Sequence, residues 1–347
     1  MEMMRLPRDG IAEARQLAER GRTAARRGTP VEALGWFDRA LAVLGQDSPG
    51  EMLADVLRWK GTAHRECGDT KAADRLYEES GALAERIGYL AGVAHAANCR
   101  GIIAQRRGEL VDAERLYAQA ADLAMQSGEA PLSVMVRRNL GIVGSIRGDW
   151  TGAMENFVES QRYAETVGDT DGVARALNNI AIIYAKQSRF EEAEAMYEKV
   201  LGMVRDCGDL VSECVCEFNR AEMFIAARRL DSATRAVAIG LEIADRRGDR
   251  LRRAEGLKLM ATIGRLQGNM DACEALLEEA LTLADTGEDQ CLFSEVLRER
   301  AQLMRARGDL EAARRSLHAA RTGFVAAGAR PEIRGVNREL AELQATG

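Results

Sequence analysis

The sequence predicts an all-α protein made of eight helical hairpins in a row, and three observations carry that prediction. First, Ala, Leu, Glu and Arg dominate, while aromatics are only 5% of the chain and prolines number five. These are strong helix formers, and few segments show the alternation or β-branched runs of a strand. Second, glycine recurs at Gly28, Gly68, Gly108, Gly148, Gly268 and Gly308, spaced by 40 residues or a multiple of it, with Ser188 and Arg228 in the two missing places. Third, a small residue stands seven positions before each of these turns and another five positions after it, and a large apolar or aromatic residue follows four positions later.

The repeats run 11–50, 51–90, 91–130, 131–170, 171–210, 211–250, 251–290 and 291–330 without insertion or deletion, after a flexible leader at 1–10. In chain order the small residue of the first helix is Gly21, Gly61, Gly101, Gly141, Ala181, Ala221, Ala261 and Ala301. Its counterpart in the second helix is Ala33, Ala73, Ala113, Ala153, Ala193, Ala233, Cys273 and Ala313. The large residue is Phe37, Tyr77, Tyr117, Phe157, Tyr197, Val237, Leu277 and Leu317. A second glycine closes most repeats, at Gly88, Gly128, Gly168, Gly208, Gly248 and Gly328, with Gly287 one residue early.

Each part of this pattern has a physical cause. Small residues lie where helix backbones approach closely, and a larger side chain there would push the pair apart. The large residue shares a helix face with the small one four positions earlier and fills the gap between hairpins. Glycine at the turn supplies backbone angles that other residues resist; Ser188 and Arg228 therefore predict either a different turn or modest strain. One hairpin cannot bury its own apolar face, so stacked neighbours form the core. Residues 331–347 keep the register, with Leu340 and Ala341 answering to Leu140 and Gly141, and predict a C-terminal capping helix.

The net charge of −6 gives no general footprint for nucleic acid. No apolar run is long enough to span a membrane, and the first residues lack the apolar core of a signal peptide. Seven scattered cysteines fit reduced thiols in a cytoplasmic protein better than a disulfide framework. Catalytic and metal sites are not expected: His64, His95 and His318 each lack a second histidine three or four residues away, Cys214 and Cys216 point to opposite sides of a helix, and no phosphate loop is present. No cofactor is implied, and the chain reads as a non-enzymatic one.

The small, small, aromatic pattern resembles the tetratricopeptide repeat (TPR). The segment Ala176–Leu201 matches best, with Ala181, Tyr184, Ala193 and Tyr197 in the signature positions. The usual repeat has about 34 residues; the 40-residue form here is similar to the repeats of kinesin light chains, LGN-type adaptors and many bacterial adaptors or regulators. The resemblance implies a right-handed α-solenoid whose first helices line a concave groove.

Transferred by register, five positions per repeat face that groove. Thirteen of the forty are Lys or Arg and five are Asp or Glu, so the groove carries +8 and the rest of the chain −14. A concave basic wall attracts an acidic partner. The candidate binding residues implied are Arg58, His95, Asn98, Ile102, Arg106, Met135, Arg138, Ile142, Arg175, Asn178, Ile182, Lys186, Phe218, Lys258 and Arg298. Their arginines can grip carboxylates, their asparagines a peptide backbone, and their apolar members mark an interaction surface. The neighbouring Asn139, Asn179 and Asn219 are expected to be structural. Arg137 and Glu217 depart from a position that is Leu17, Leu57, Leu177, Leu257 and Leu297 elsewhere, which predicts irregular packing in repeats four and six.

The expected function is an adaptor that binds a partner's acidic, apolar peptide segment. The alternatives are a bacterial-type peptide sensor whose superhelix changes on binding, a scaffold that self-assembles end to end as a homo-oligomer, and an RNA-binding solenoid. Nucleic acid is disfavoured because the predicted groove holds one aromatic, Phe218.

Overall fold

A computed structural model describes residues 8–45, 50–285, 289–327 and 329–345. Most of the expected leader, and Gly287 and Gly328, lie outside the described residues. Within them the chain is helical, without strands, and no helix is long and apolar enough to cross a membrane. None of the seven cysteines forms a disulfide.

By contacts the chain divides into two units, residues 1–147 with 162–168, and residues 148–161 with 169–347. The N-terminal unit contains α1 (Arg8–Arg26), α2 (Pro30–Leu44), α3 (Glu51–Glu66), α4 (Thr70–Arg86), α5 (Leu90–Arg106), α6 (Leu110–Ser127) and α7 (Ala130–Arg147). Helix α8 (Trp150–Thr166) is shared between the two divisions. The C-terminal unit contains α9 (Thr170–Lys186), α10 (Phe190–Asp206), α11 (Leu210–Ala226), α12 (Leu230–Arg247), α13 (Arg250–Gln267), α14 (Met270–Ala284), α15 (Gln290–Ala306), α16 (Leu310–Ala326) and α17 (Arg330–Ala345).

Both units are built alike. Helices pair as hairpins, each second helix packs on the next first helix, and successive first helices touch: α1, α3, α5 and α7 in the N-terminal unit, α9, α11, α13 and α15 in the other. Each unit thereby acquires a face made of first helices.

Local chemistry fixes the helix ends. The carboxylates of Asp69, Asp169, Asp249, Asp289 and Asp309 each accept the backbone N–H three residues on, at 2.9–3.0 Å. These side chains satisfy donors that the first helical turn leaves open. At the turn, Gly68 has φ +85°, its N–H donates to the Arg65 carbonyl at 3.1 Å, and Asp69 N–H donates to the His64 carbonyl at 2.9 Å. This is the glycine-ended helix stop expected from the sequence.

Ser188 and Arg228 adopt the same turn, at φ +61° and +59°, with Arg189 and Arg229 N–H donating to Tyr184 and Phe224 carbonyls at 2.9 Å. The register thus overrides the local preference, and the outcome is strain rather than a different turn. A β-carbon in this region costs about 1–2 kcal/mol. Ser188→Gly and Arg228→Gly are each expected to stabilise the protein by about 1 kcal/mol, read as a higher urea midpoint; an unchanged midpoint would show the turns to be relaxed.

The pairing of small and large residues is direct in the N-terminal unit. A β-carbon on Gly21, Gly61 or Gly101 would lie 2.6, 2.8 and 2.6 Å from the rings of Phe37, Tyr77 and Tyr117. In repeats six to eight alanine replaces glycine and the opposed residue shrinks to Val237, Leu277 or Leu317, all buried. Repeat five, with Ala181 and Tyr197 both buried, carries the larger member of each pair, so size is matched in repeats one to three and six to eight but not throughout the chain.

Candidate binding surface on the first helices

The predicted binding residues fall on the first-helix faces of both units, but their surroundings differ from the sequence expectation. Phe218 is a correction. Its side chain is 1% exposed and fills a notch left by two glycines, Gly240 on α12 and Gly256 on α13. Burying a phenyl ring where no opposing side chain stands is far more favourable than leaving it in a wet channel. The one aromatic expected in the groove is therefore core.

Asn98 is a second correction. It is 1% exposed, and its Oδ1 accepts from Asn139 Nδ2 at 2.9 Å, joining α5 to α7. In the C-terminal unit, Asn178 Oδ1 accepts from Asn219 Nδ2 at 3.2 Å in the same way. These pairs bind neighbouring first helices together, and Asn139 and Asn219 have the structural role expected of them.

The excess positive charge is also largely answered from within, most clearly in the C-terminal unit. Lys258 Nζ meets Glu295 at 2.5 Å, Arg265 meets Glu299 at 2.6 Å, Arg298 Nε donates to Glu339 at 2.7 Å, and Arg305 meets Glu342 at 3.2 Å. Arg175 pairs with Asp171 on its own helix. Burial pulls the Lys258 ammonium down, but Glu295 and Glu222 outweigh it and hold the group above its ordinary range. Around these residues lies a cavity of about 520 Å³, lined among others by Lys186, Glu222, Ile225, Lys258, Leu259, Glu295, Arg298 and Glu339. Lys186 is exposed at its edge and Ile182 is half-buried. The counting of charges by first-helix position overlooked Glu299, one residue past a counted position on α15, and Glu339 and Glu342, which lie on the capping helix α17 beyond the eight repeats counted.

In the N-terminal unit, Ile102 and Met135 are half-buried against a core cluster containing Ala97, Leu132 and Val136. Ile142 and Arg138 are half-buried and Arg106 is exposed. Arg58 Nη2 donates to Asp55 Oδ1 at 2.7 Å, and its guanidinium lies 5.5 Å from the centre of the Trp59 ring, which Arg22 covers at 4.8 Å. His95 lies 3.6 Å from Glu129, yet burial, reinforced by Arg58, lowers its pKa to about 3, so the imidazole is neutral at physiological pH. Tyr77 hydroxyl donates to Thr62 at 3.2 Å, and Tyr117 hydroxyl donates to Gln105 Oε1 at 2.9 Å. Arg65, also on α3, was not among the candidate residues; its Nε, like that of Arg58, is enclosed with no hydrogen-bond partner. Among the described residues no three His, Cys, Asp or Glu side chains converge as metal ligands do.

Residues 130–343 match the family model described as the MalT-like TPR region. No curated protein matches the chain. Among solved structures, a Rap protein complexed with competence and sporulation factor aligns over 97% of this chain and 98% of its own, at 12% identity and TM-score 0.65. The apo form of RapI aligns over 78% and 97%, at 13% identity and TM-score 0.63. The apo quorum sensor NprR from B. thuringiensis aligns over 97% and 98%, at 13% identity and TM-score 0.56. At these identities the likeness is one of fold.

Proposed function

The chain belongs to the MalT-like TPR region family, and from that premise we propose that it is a non-enzymatic binding scaffold whose first-helix faces hold a peptide segment of a partner protein. The observation that carries this is the half-buried apolar strip of Ile102, Met135 and Ile142 on the N-terminal unit, bordered by the cations Arg58 and Arg106. Apolar side chains left partly open beside charges form an interaction surface more readily than a solvated wall. The preferred segment is acidic and apolar, matched to the cations and apolar side chains of this face. A cytoplasmic location fits the reduced cysteines.

The charge-reversed variant Arg58→Glu with Arg138→Glu is expected to lose capture of acidic, apolar sequences on a peptide array, with its helical circular dichroism and melting temperature retained. Capture equal to that of the original protein would refute peptide binding on this face. The likeness to Rap and NprR proteins favours a finer version, a sensor that changes shape when peptide binds; identical small-angle scattering profiles with and without a captured peptide would rule it out.

A further inference from the structure

Repetition allows the two units to be compared position by position, and the comparison exposes an imbalance. In the C-terminal unit the carboxylates that meet first-helix cations stand at fixed distances along the chain: Glu299 lies 34 residues after Arg265, Glu295 lies 37 after Lys258, and Glu339 lies 41 after Arg298. The same steps from Arg58 reach His95 and Cys99, and from Arg65 they reach Cys99 and Ile102. At these steps the N-terminal unit offers neither cation a carboxylate; Arg58 is met instead by Asp55 of its own helix at 2.7 Å, and Arg65 is not met at all.

The consequence is visible in the hydrogen bonding. The Nε atoms of Arg58, Arg65, Arg220 and Arg314 are all enclosed without an acceptor, but the other three guanidinium groups meet carboxylates, Asp55, Glu217 and Glu311, whereas Arg65 has no ion-pair partner among the described residues. A half-buried guanidinium with neither an Nε acceptor nor a carboxylate partner calls for an explanation, and an acceptor supplied by a ligand is one. Arg65 lies close enough to Tyr77 and Tyr117 to influence both hydroxyls. Tyr117 occupies the Gln105 oxygen, which leaves the Gln105 amide hydrogens as donors. His95 is neutral, and Cys99 is buried with its thiol held protonated by burial. Asp55 is engaged by Arg58 at 2.7 Å and Glu129 lies beside His95 at 3.6 Å, so neither carboxylate is paired with Arg65.

We propose that Arg65, with Arg58 and the Gln105 amide, anchors a carboxylate of the bound segment, an Asp or Glu side chain filling the place that Glu299 fills beside Arg265. This rests on the reading of the first-helix face as a peptide-binding surface, and it names the residue that reads the peptide's charge. Cys99 is the position that keeps the anchor vacant for a ligand: a glutamate there would close it from within, as Glu299 does.

The test uses the full chain and a synthetic array of acidic, apolar peptides. The tightest binder is resynthesised with each Glu changed in turn to Gln, and with phosphoserine in its place. One Glu→Gln change is expected to weaken binding roughly tenfold to hundredfold. Arg65→Met and Cys99→Glu should each produce a similar loss with the original peptide and little further loss with the Gln peptide. Matched melting temperatures identify variants that fold. Binding indifferent to both Arg65 and Cys99 overturns the anchor alone. Phosphoserine bound more tightly than Glu, and lost in the same variants, overturns the carboxylate assignment in favour of phosphate. Failure of the original protein to bind any array peptide overturns the peptide-binding reading, and the anchor with it.

Discussion

Gly101→Val is expected to destabilise the protein by about 3 kcal/mol, the upper end of what overpacking a tight core costs. Even the first added carbon would stand 2.6 Å from the Tyr117 ring, and Tyr117 is wholly buried, so the ring has no space into which to retreat. Helices α5 and α6 must then separate, and with them the seat of Gln105, whose side chain accepts the Tyr117 hydroxyl. The expected fall in melting temperature is roughly 6–12 °C. Adding Tyr117→Leu should restore much of it, because repeats seven and eight already pair a larger small residue, Ala261 or Ala301, with Leu277 or Leu317. A melting temperature unchanged by Gly101→Val would mean the hairpin crossing is not set by volume.

The second large effect has the opposite sign. Glu217→Leu is expected to leave stability equal or raise it by about 1–4 kcal/mol, as replacement of other buried ion pairs by packed apolar residues has done. Glu217 is 0% exposed, on the α11 position that is leucine in five other repeats. Its Oε1 accepts from Arg205 at 2.8 Å and its Oε2 lies 3.5 Å from Arg220. Removing it strands neither arginine, since Arg205 keeps Glu213 at 2.6 Å and Arg220 keeps Glu194 at 4.0 Å. Burial raises the Glu217 carboxyl above the ordinary range, and Arg220 and Arg205 only partly oppose it. Because its folded pKa exceeds its unfolded one, the glutamate favours the folded state most in acid and loses that advantage as pH rises through the folded value. The gain from leucine should therefore be smallest in acid and grow toward neutral pH. Denaturant midpoints measured from pH 4 to pH 8 check both the sign and this trend; a loss of stability at neutral pH would show the ion cluster to be favourable.

The fold was legible because a period of 40 residues leaves one solution, and the physical partners lie inside a single repeat. Gly61 and Tyr77 are 16 residues apart and meet across one turn, so their sizes can be matched on paper. The binding face was legible only as a list of positions. What those positions do depends on residues in the next repeat. Asn98 meets Asn139 and Arg298 meets Glu339, both 41 residues on, and a count that stops at one helix misses such pairs. Phe218 needed two distant glycines, Gly240 and Gly256, to be recognised as a core residue. In the C-terminal unit the charge excess was real as arithmetic and misleading as electrostatics, because Glu295, Glu299, Glu339 and Glu342 meet its cations from neighbouring helices. Those same offsets, applied to the sequence alone, would have found the gap at His95 and Cys99.

The two turns that lack glycine are consecutive first-to-second-helix turns in the C-terminal unit, at Ser188 and Arg228. In a stack where each hairpin touches only its neighbours, resistance to stretching is limited by its softest link. A tether pulling on this unit would meet yielding first between Lys186 and Arg229, where the chain already sits uphill in backbone energy. Substituting glycine at both turns would make the same region stiffer under load while leaving its surface unchanged.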